Sequence, residues 1–418
     1  MAVTSVVSSQ ARRAARSLRP AKADDRTIRL RVGLAWGLLF LNVLTFYKGT
    51  WNQQPLIIPI PSVIGQLMTQ GSLPAALLLA WSVNRRLLIR PNVFLTLLTL
   101  LFITALVAAI NPNGHVIGTL YRTTRLGEFI ATLWLLWPMA DRRDLLFVRC
   151  HLKALAVVLG SVLLGFLLTP GRALAEGRLS GEFWPITPVQ VADYTAVALG
   201  LLVVLWFCGE LSGRKTLPAV LVTSVMLLLT HTRTEVIALM AGLLVAGLSM
   251  FTVRARVRRL FASIAITVSI AVTAFSSVLT TWLARGENSE QLTNLTGRTN
   301  VWTAVVNTPR DWYQMVFGFG LSNKASPNGL PIDSNWLAAY YDLGLAGVAI
   351  IAAFLLFILV SAYFQPRSER RALALFLVTY LLVTSYTETG LSDASMYLLE
   401  LALAASLLVP RAPDRSLL

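Results

Sequence analysis

Apolar runs of near-membrane length recur along the whole chain, and polar residues are confined to the gaps between them. A helix that crosses a bilayer needs about 20 predominantly apolar residues. Runs approaching that length fall at 32–47, 62–83, 92–110, 119–139, 152–169, 191–208, 217–230, 235–252, 261–280, 336–361, 372–386 and 394–410. The pattern predicts an all-α, polytopic membrane protein with about twelve transmembrane helices. One long polar interval, 281–335, precedes the tenth of them. It opens TWLARGENSEQLTN, continues through TGRTNVW and VFGFGLSN, and closes on DSNWLAAYYDLGLAG, where it re-enters an apolar run. The chain divides accordingly into a basic tail at 1–31, nine spans over 32–280, a large loop at 281–335, three spans over 336–410 and a short tail at 411–418.

Composition agrees with the pattern. The chain is 56% hydrophobic and 13% charged, where a soluble domain carries about 25% charged residues. The net charge of +16 would suit a nucleic-acid partner, but its distribution excludes one. Basic residues collect in alternate gaps, which is the orientation signal of a membrane protein. With the N-terminus inside, every inside gap is basic: Arg85, Arg86 and Arg90; Arg142, Arg143 and Arg149; Arg214 and Lys215; Arg254, Arg256, Arg258 and Arg259; Arg367, Arg370 and Arg371. Both termini are then cytoplasmic, and 170–190 and 281–335 face the extracytoplasmic side. The basic, polar start has no small-residue cleavage site and does not read as a signal peptide.

Candidate chemistry is sparse. Cys150 and Cys208 flank inside segments and imply no disulfide framework. The three histidines, His115, His151 and His231, are scattered, with no HExxH spacing, and Asp-x-Asp, P-loop and GxGxxG patterns are absent. No metal, cofactor or nucleotide is therefore expected.

The informative residues are arginines placed outside against the charge bias. Arg233 stands in HTRTE, after a run of only 14 residues (217–230). Such a helix spans about 21 Å of a core about 30 Å thick, so Arg233 and Glu235 are expected below the outer surface, where ionisable groups are costly and commonly functional. A tight hairpin with an Arg233–Glu235 contact is the plainer alternative. Arg298 and Trp302 share a helix face at i, i+4 behind a Thr296 cap. On spacing alone, a surface helix anchored by Trp302 explains them better. Asp333 and Ser334 precede an apolar helix, where plain N-capping is the simplest role. Gly344 and Gly347 would give that helix a small-residue contact surface. Arg178 lies in a further outside loop, GRLSGEFWPITPVQVADY, at 177–194.

Four blocks taken in order resemble the O-antigen ligase and O-antigen polymerase superfamily of bacterial integral-membrane glycosyltransferases. GRLSGEFWPITP resembles the family's Arg-leading block before a mid-chain helix. TRTEVIALMAGLL resembles its Arg-Thr block. TGRTNVW followed by VFGFGLSN resembles its Gly-Arg-x-x-x-Trp and Gly-x-Gly pattern. DSNWLAAYYDLGLAG resembles its block of His-Asn or His-Ser, nine residues, Gly, two residues, Gly. The family's ligases usually carry His where this chain has Asp333, and its polymerases vary there, which tilts the resemblance toward a polymerase or another glycan transferase.

The resemblance implies transfer of a glycan from a polyprenyl-diphosphate carrier to an acceptor hydroxyl, on the extracytoplasmic face of a bacterial inner membrane, in surface polysaccharide assembly. It implies a metal-independent site with Arg233 and Arg298 as a cationic clamp on the diphosphate and Asp333 as general base. Arg178, Ser334 and Trp302 would bind substrate. The partners are then the lipid-linked glycan, an acceptor glycan or glycolipid, and membrane lipid. A transporter or flippase of a lipid-linked or polar solute is the alternative from another class, because intramembrane arginines and short helices serve transport too. The large outer loop with its Gly-Arg and Asp-Ser blocks is what transport does not require.

Overall fold

A computed structural model describes residues 25–44, 56–58, 61–110, 116–140, 144–174, 177–260, 262–263, 298–321 and 330–410. The expected span at 261–280, all but its residues 262–263, lies outside the described residues, as do the loop segments 281–297 and 322–329, the Thr296 cap and both tails. The described residues form helices and connecting turns without a β-strand. α1 covers 25–43. It is followed by α2 (Ser62–Val83), α3 (Val93–Ala109), α4 (Val116–Leu136), α5 (Leu146–Leu168), α6 (Pro188–Cys208), α7 (Gly213–Leu229) and α8 (Arg233–Met250). Beyond residue 297 come two short helices, α9 (Arg298–Val306) and α10 (Trp312–Phe317), then α11 (Asn335–Phe364), α12 (Glu369–Thr384) and α13 (Met396–Ser406). Five helices, α2, α5, α6, α8 and α11, are long and apolar enough to cross a membrane. α3, α13 and the part of α7 from Thr216 are apolar but shorter.

α12 and α6 form the centre. Every residue from Ala372 to Val378 is buried, as is every residue from Val191 to Leu201. Such all-round burial suits a helix that is apolar on all sides. α12 packs against α6, α8, α11 and α13, most extensively against α8. Glycine permits the close approach: a Cβ at Gly200 of α6 or at Gly242 of α8 would collide with the Phe376 ring of α12. α6 starts where it does because Thr187 and Gln190 form a reciprocal capping box and Pro188 fills the first helical position.

Two expectations change. α7 runs back to Gly213, so it has 17 residues and spans about 25 Å, which shrinks the length deficit that placed Arg233 deep in the membrane. Gly344 does offer a helix-contact surface, since a Cβ there would strike the Val316 and Phe317 backbone of α10, but it does more. It interrupts α11 with φ 62° and ψ −161°, a left-handed backbone that glycine tolerates and a side chain resists. The break frees two carbonyls, and the 318–320 loop occupies them: Phe319 N–H donates to Tyr341 O at 3.0 Å and Gly320 N–H to Asp342 O at 2.8 Å. Gly318 and Gly344 allow this docking, since a Cβ on either would strike the backbone of the other segment. Gly-x-Gly in one block and the first Gly of the next are thus two halves of one joint.

Candidate functional site

Several connecting segments meet at the end of the bundle where α8 and α11 begin. The segment at 385–395, between α12 and α13, lies at their centre. Ser385 O accepts the Asn335 N–H at 3.0 Å. The Asn335 carboxamide oxygen accepts the N–H groups of Gly390 and Leu391 at 3.3 and 2.8 Å. Thr387 donates its hydroxyl to Thr234 Oγ1 at 3.2 Å, one residue after Arg233. Trp302 of α9 packs edge-on against Tyr386 with ring centroids 5.5 Å apart. On the other side, Arg122 Nη1 lies 3.5 Å from Asp393 Oδ2, and Arg125 Nη2 donates to Ala394 O at 2.9 Å.

Arg298 and Asp333 come together there. Arg298 Nε is 3.5 Å from Asp333 Oδ2 and its Nη2 is 3.9 Å from Glu388 Oε1. Both distances are long for charge-assisted hydrogen bonds, which run to about 2.7–2.9 Å. The guanidinium is therefore flanked by two carboxylates rather than saturated by either. Its side chain is 26% exposed and that of Asp333 41%, so the pair remains open to a ligand. Enclosure of the inner side of Asp333 pushes its carboxyl above the ordinary range, against the downward pull of Arg298. A carboxylate so placed is a stronger base than a free one.

The other predicted residues take these positions. Ser334 occupies the N-cap of α11, but its side chain makes no capping bond, and it is buried. Asp333 is thus not the cap, and Asn335 spends its side chain on the 390–391 backbone. Arg178 donates from Nε to Thr230 O at 3.0 Å and from Nη2 to Thr232 Oγ1 at 3.2 Å. It ties the 177–187 loop to the turn that leads into Arg233. Arg233 is the first residue of α8, beside the Thr234–Thr387 bond. Glu235, two residues on, is fully buried. Trp302 is half-buried against Tyr386 rather than standing alone as a surface anchor.

Glu388 is the residue that sequence reasoning passed over. It sits in TSYTETGLSD, a gap short enough to look like a bare turn between two apolar runs. An acid on the same expected side as Arg298 was the available signal. Among the described residues, no group of three or more His, Cys, Asp or Glu is arranged to hold a metal ion.

The family described as O-Antigen ligase matches residues 218–352, about a third of the chain. The match supports the O-antigen ligase and polymerase superfamily. It takes in Arg233, Arg298, Trp302, Asp333, Ser334 and the Gly344 joint, and leaves Arg178 and Glu388 outside. No curated protein matches the chain.

Proposed function

We propose, for a chain whose residues 218–352 carry the domain of the O-antigen ligase and polymerase superfamily, that it transfers a glycan from a polyprenyl-diphosphate carrier to an acceptor hydroxyl. The observation that carries the proposal is the open Arg298–Asp333 pair beside Glu388. Transfer breaks the bond between the sugar's anomeric carbon and the diphosphate and forms one to the acceptor oxygen. The departing diphosphate gathers negative charge, which the fork of Arg298 suits, with Arg233 as the second cation of the clamp. Asp333 takes the acceptor's proton, and the raised position of its carboxyl favours that role. The basic gaps support placing this end of the bundle on the extracytoplasmic side, with twelve spans and both termini inside. The cation work falls to arginine, so transfer should proceed unchanged in a chelator. Loss with EDTA, restored by magnesium or manganese, would count against the clamp.

The test uses membranes containing the full chain and a polyprenyl-diphosphate-linked glycan. Wild type should lengthen the glycan or join it to an acceptor, and Arg298→Ala should not. A glycan that crosses the bilayer chemically unchanged, with no new glycosidic bond, would favour the transport reading instead.

A further inference from the structure

The short connection between α2 and α3, NRRLLIRPN, turns its apolar side chains outward. Leu87, Leu88 and Ile89 are 56%, 58% and 64% exposed, and nowhere else among the described residues do three consecutive large apolar side chains all stand exposed. Arg85, Arg86 and Arg90 flank them and are exposed as well. Trp81, in the last turn of α2, is also exposed. No Asp or Glu occurs between Asn84 and Asn92. An exposed apolar patch rimmed by charge marks an interaction surface.

The patch is held out by fixed bonds, and one side chain supplies most of them. Asn84 is buried at the end of α2. Its carboxamide donates to Leu88 O at 3.0 Å and accepts the Leu88 N–H at 2.9 Å. It also donates to Leu135 O, at the end of α4, at 3.2 Å. Leu87 N–H donates to Asn84 O at 3.0 Å. Leu87 itself takes a left-handed φ of 47°, which its side chain resists and the surrounding bonds impose. Beyond the turn, Asn92 caps α3 through the N–H groups of Phe94 and Leu95.

The position of the turn says what covers it. α2 is long and apolar enough to cross a membrane, so the turn that follows it lies at a membrane surface, on the side that the basic gaps mark as cytoplasmic. An exposed tryptophan near a helix end belongs at headgroup level. At that depth leucine and isoleucine reach the edge of the hydrocarbon, while arginines keep their heads among the phosphates. The guanidinium fork suits phosphate, and a segment with three arginines and no acid complements a negative surface.

We propose that the 84–91 turn is a docking surface for anionic phospholipid headgroups, with Leu87, Leu88 and Ile89 at the edge of the hydrocarbon and Arg85 and Arg86 on the lipid phosphates. Charge in a gap sets the side of the membrane on which it lies. This surface in addition selects the lipid beside it and fixes the depth of the α2–α3 end, which Asn84 ties to α4 through Leu135 O. It stands whether or not the site transfers glycans.

Spin labelling of the full chain in liposomes tests it. Leu88→Cys, in a chain carrying Cys150→Ala and Cys208→Ala, accepts a nitroxide where the bonds to Asn84 use only backbone. Ile89→Cys gives a second reading if the first label disturbs the turn. Collisions with oxygen, which prefers hydrocarbon, and with a neutral water-soluble nickel chelate report the depth. In phosphatidylcholine mixed with phosphatidylglycerol, nickel collisions should fall several-fold below those in phosphatidylcholine alone, and oxygen collisions should rise. Arg85→Gln with Arg86→Gln should abolish that difference. Arg258→Gln with Arg259→Gln removes the same charge from another basic gap and should leave it in place. The proposal is overturned if nickel reaches the label equally in both lipids. That result means a turn left in water, as a protein-binding surface would be, or one inserted by its apolar side chains alone. It is also overturned if the two arginine pairs act alike, because total charge rather than this turn would then read the lipid.

Discussion

Arg298 and Arg310 stand twelve positions apart in the same stretch, both expected outside against the charge bias, yet the structure gives them opposite environments. Arg310 donates from Nη1 to Tyr340 O at 3.0 Å and from Nη2 to Val305 O at 3.1 Å. Its guanidinium lies 4.0 Å from the Tyr340 ring centroid and within 5.7 Å of those of Phe319 and Tyr341. Every one of these partners is neutral and belongs to the fold, and burial lowers the Arg310 pKa from its ordinary value. Arg310 clamps the end of α9 to the first half of α11, beside the Gly318–Gly344 joint. Arg298 instead faces two carboxylates at loose distances on an open surface. An arginine held by backbone carbonyls and aromatic rings is a structural fastener, whereas one held loosely between acids on an open surface can turn its donors to a phosphate. Position against the charge bias raises both equally, so it cannot separate them.

The comparison is broken or sharpened first at Asp333. Removing the base while keeping its shape, Asp333→Asn, should cost about two to four orders of magnitude in transfer. Stability should hardly change, because Ser334, not Asp333, occupies the cap of α11. Transfer per unit of membrane protein is the measurement, and Asp333→His should recover part of it, since an imidazole can serve as base. An active Asp333→Asn protein would leave the arginines as the whole of the site.

Next comes Lys in place of each arginine. Arg298→Lys should lose nearly as much transfer as Arg298→Ala, because an ammonium cannot reproduce the bidentate fork, with the protein as stable as wild type. Arg233→Lys should behave likewise. Arg310→Lys should do the reverse. It loses the ring stacking and one carbonyl contact, lowering stability by about 1–3 kcal/mol, while transfer per folded molecule is retained. Thermal unfolding in detergent read beside transfer rate separates the two outcomes. Equal behaviour of Arg298→Lys and Arg310→Lys would erase the distinction.

The legibility of the sequence follows the same line. The apolar runs outside 261–280 each overlap a described helix, five of them long and apolar enough to cross a membrane, because a run of apolar residues leaves a periodic and compositional mark. The Arg298–Asp333 partnership was readable from the order of the blocks. Glu388 was not, because it reaches Arg298 only through the packing of α12 against α8 and α11, and nothing local marks it. Gly344 both lets α10 approach and breaks α11; a glycine in an apolar run shows the first role in the sequence and hides the second. Arg178 is expected to bind substrate, and its Nε and Nη2 donate to Thr230 O and Thr232 Oγ1, contacts set by the docking of two loops far apart in the chain.

The smallest expected effect lies in the pH dependence of transfer. Asp333 must be deprotonated to accept a proton, so the rate should fall as pH drops through its pKa. That acid limb should lie above about 3.9, the ordinary aspartate value, because enclosure raises this carboxyl. Glu388 bears on the limb through Arg298: it shares the guanidinium, with Oε1 3.9 Å from Nη2, and adds negative charge nearby. Glu388→Gln removes both influences. Arg298 then acts on Asp333 alone, favours its ionised form more strongly, and moves the limb toward lower pH. The same change weakens Asp333 as a base, so the plateau rate should drop modestly. Because the Glu388 side chain is 16% exposed, solvent screens the effect less than at a surface ion pair, whose median worth is about 0–1 kcal/mol. Rate profiles of the wild type and Glu388→Gln, taken on equal amounts of folded protein, give the shift directly. A limb that stays in place or moves to higher pH would mean that Glu388 holds Arg298 by geometry alone.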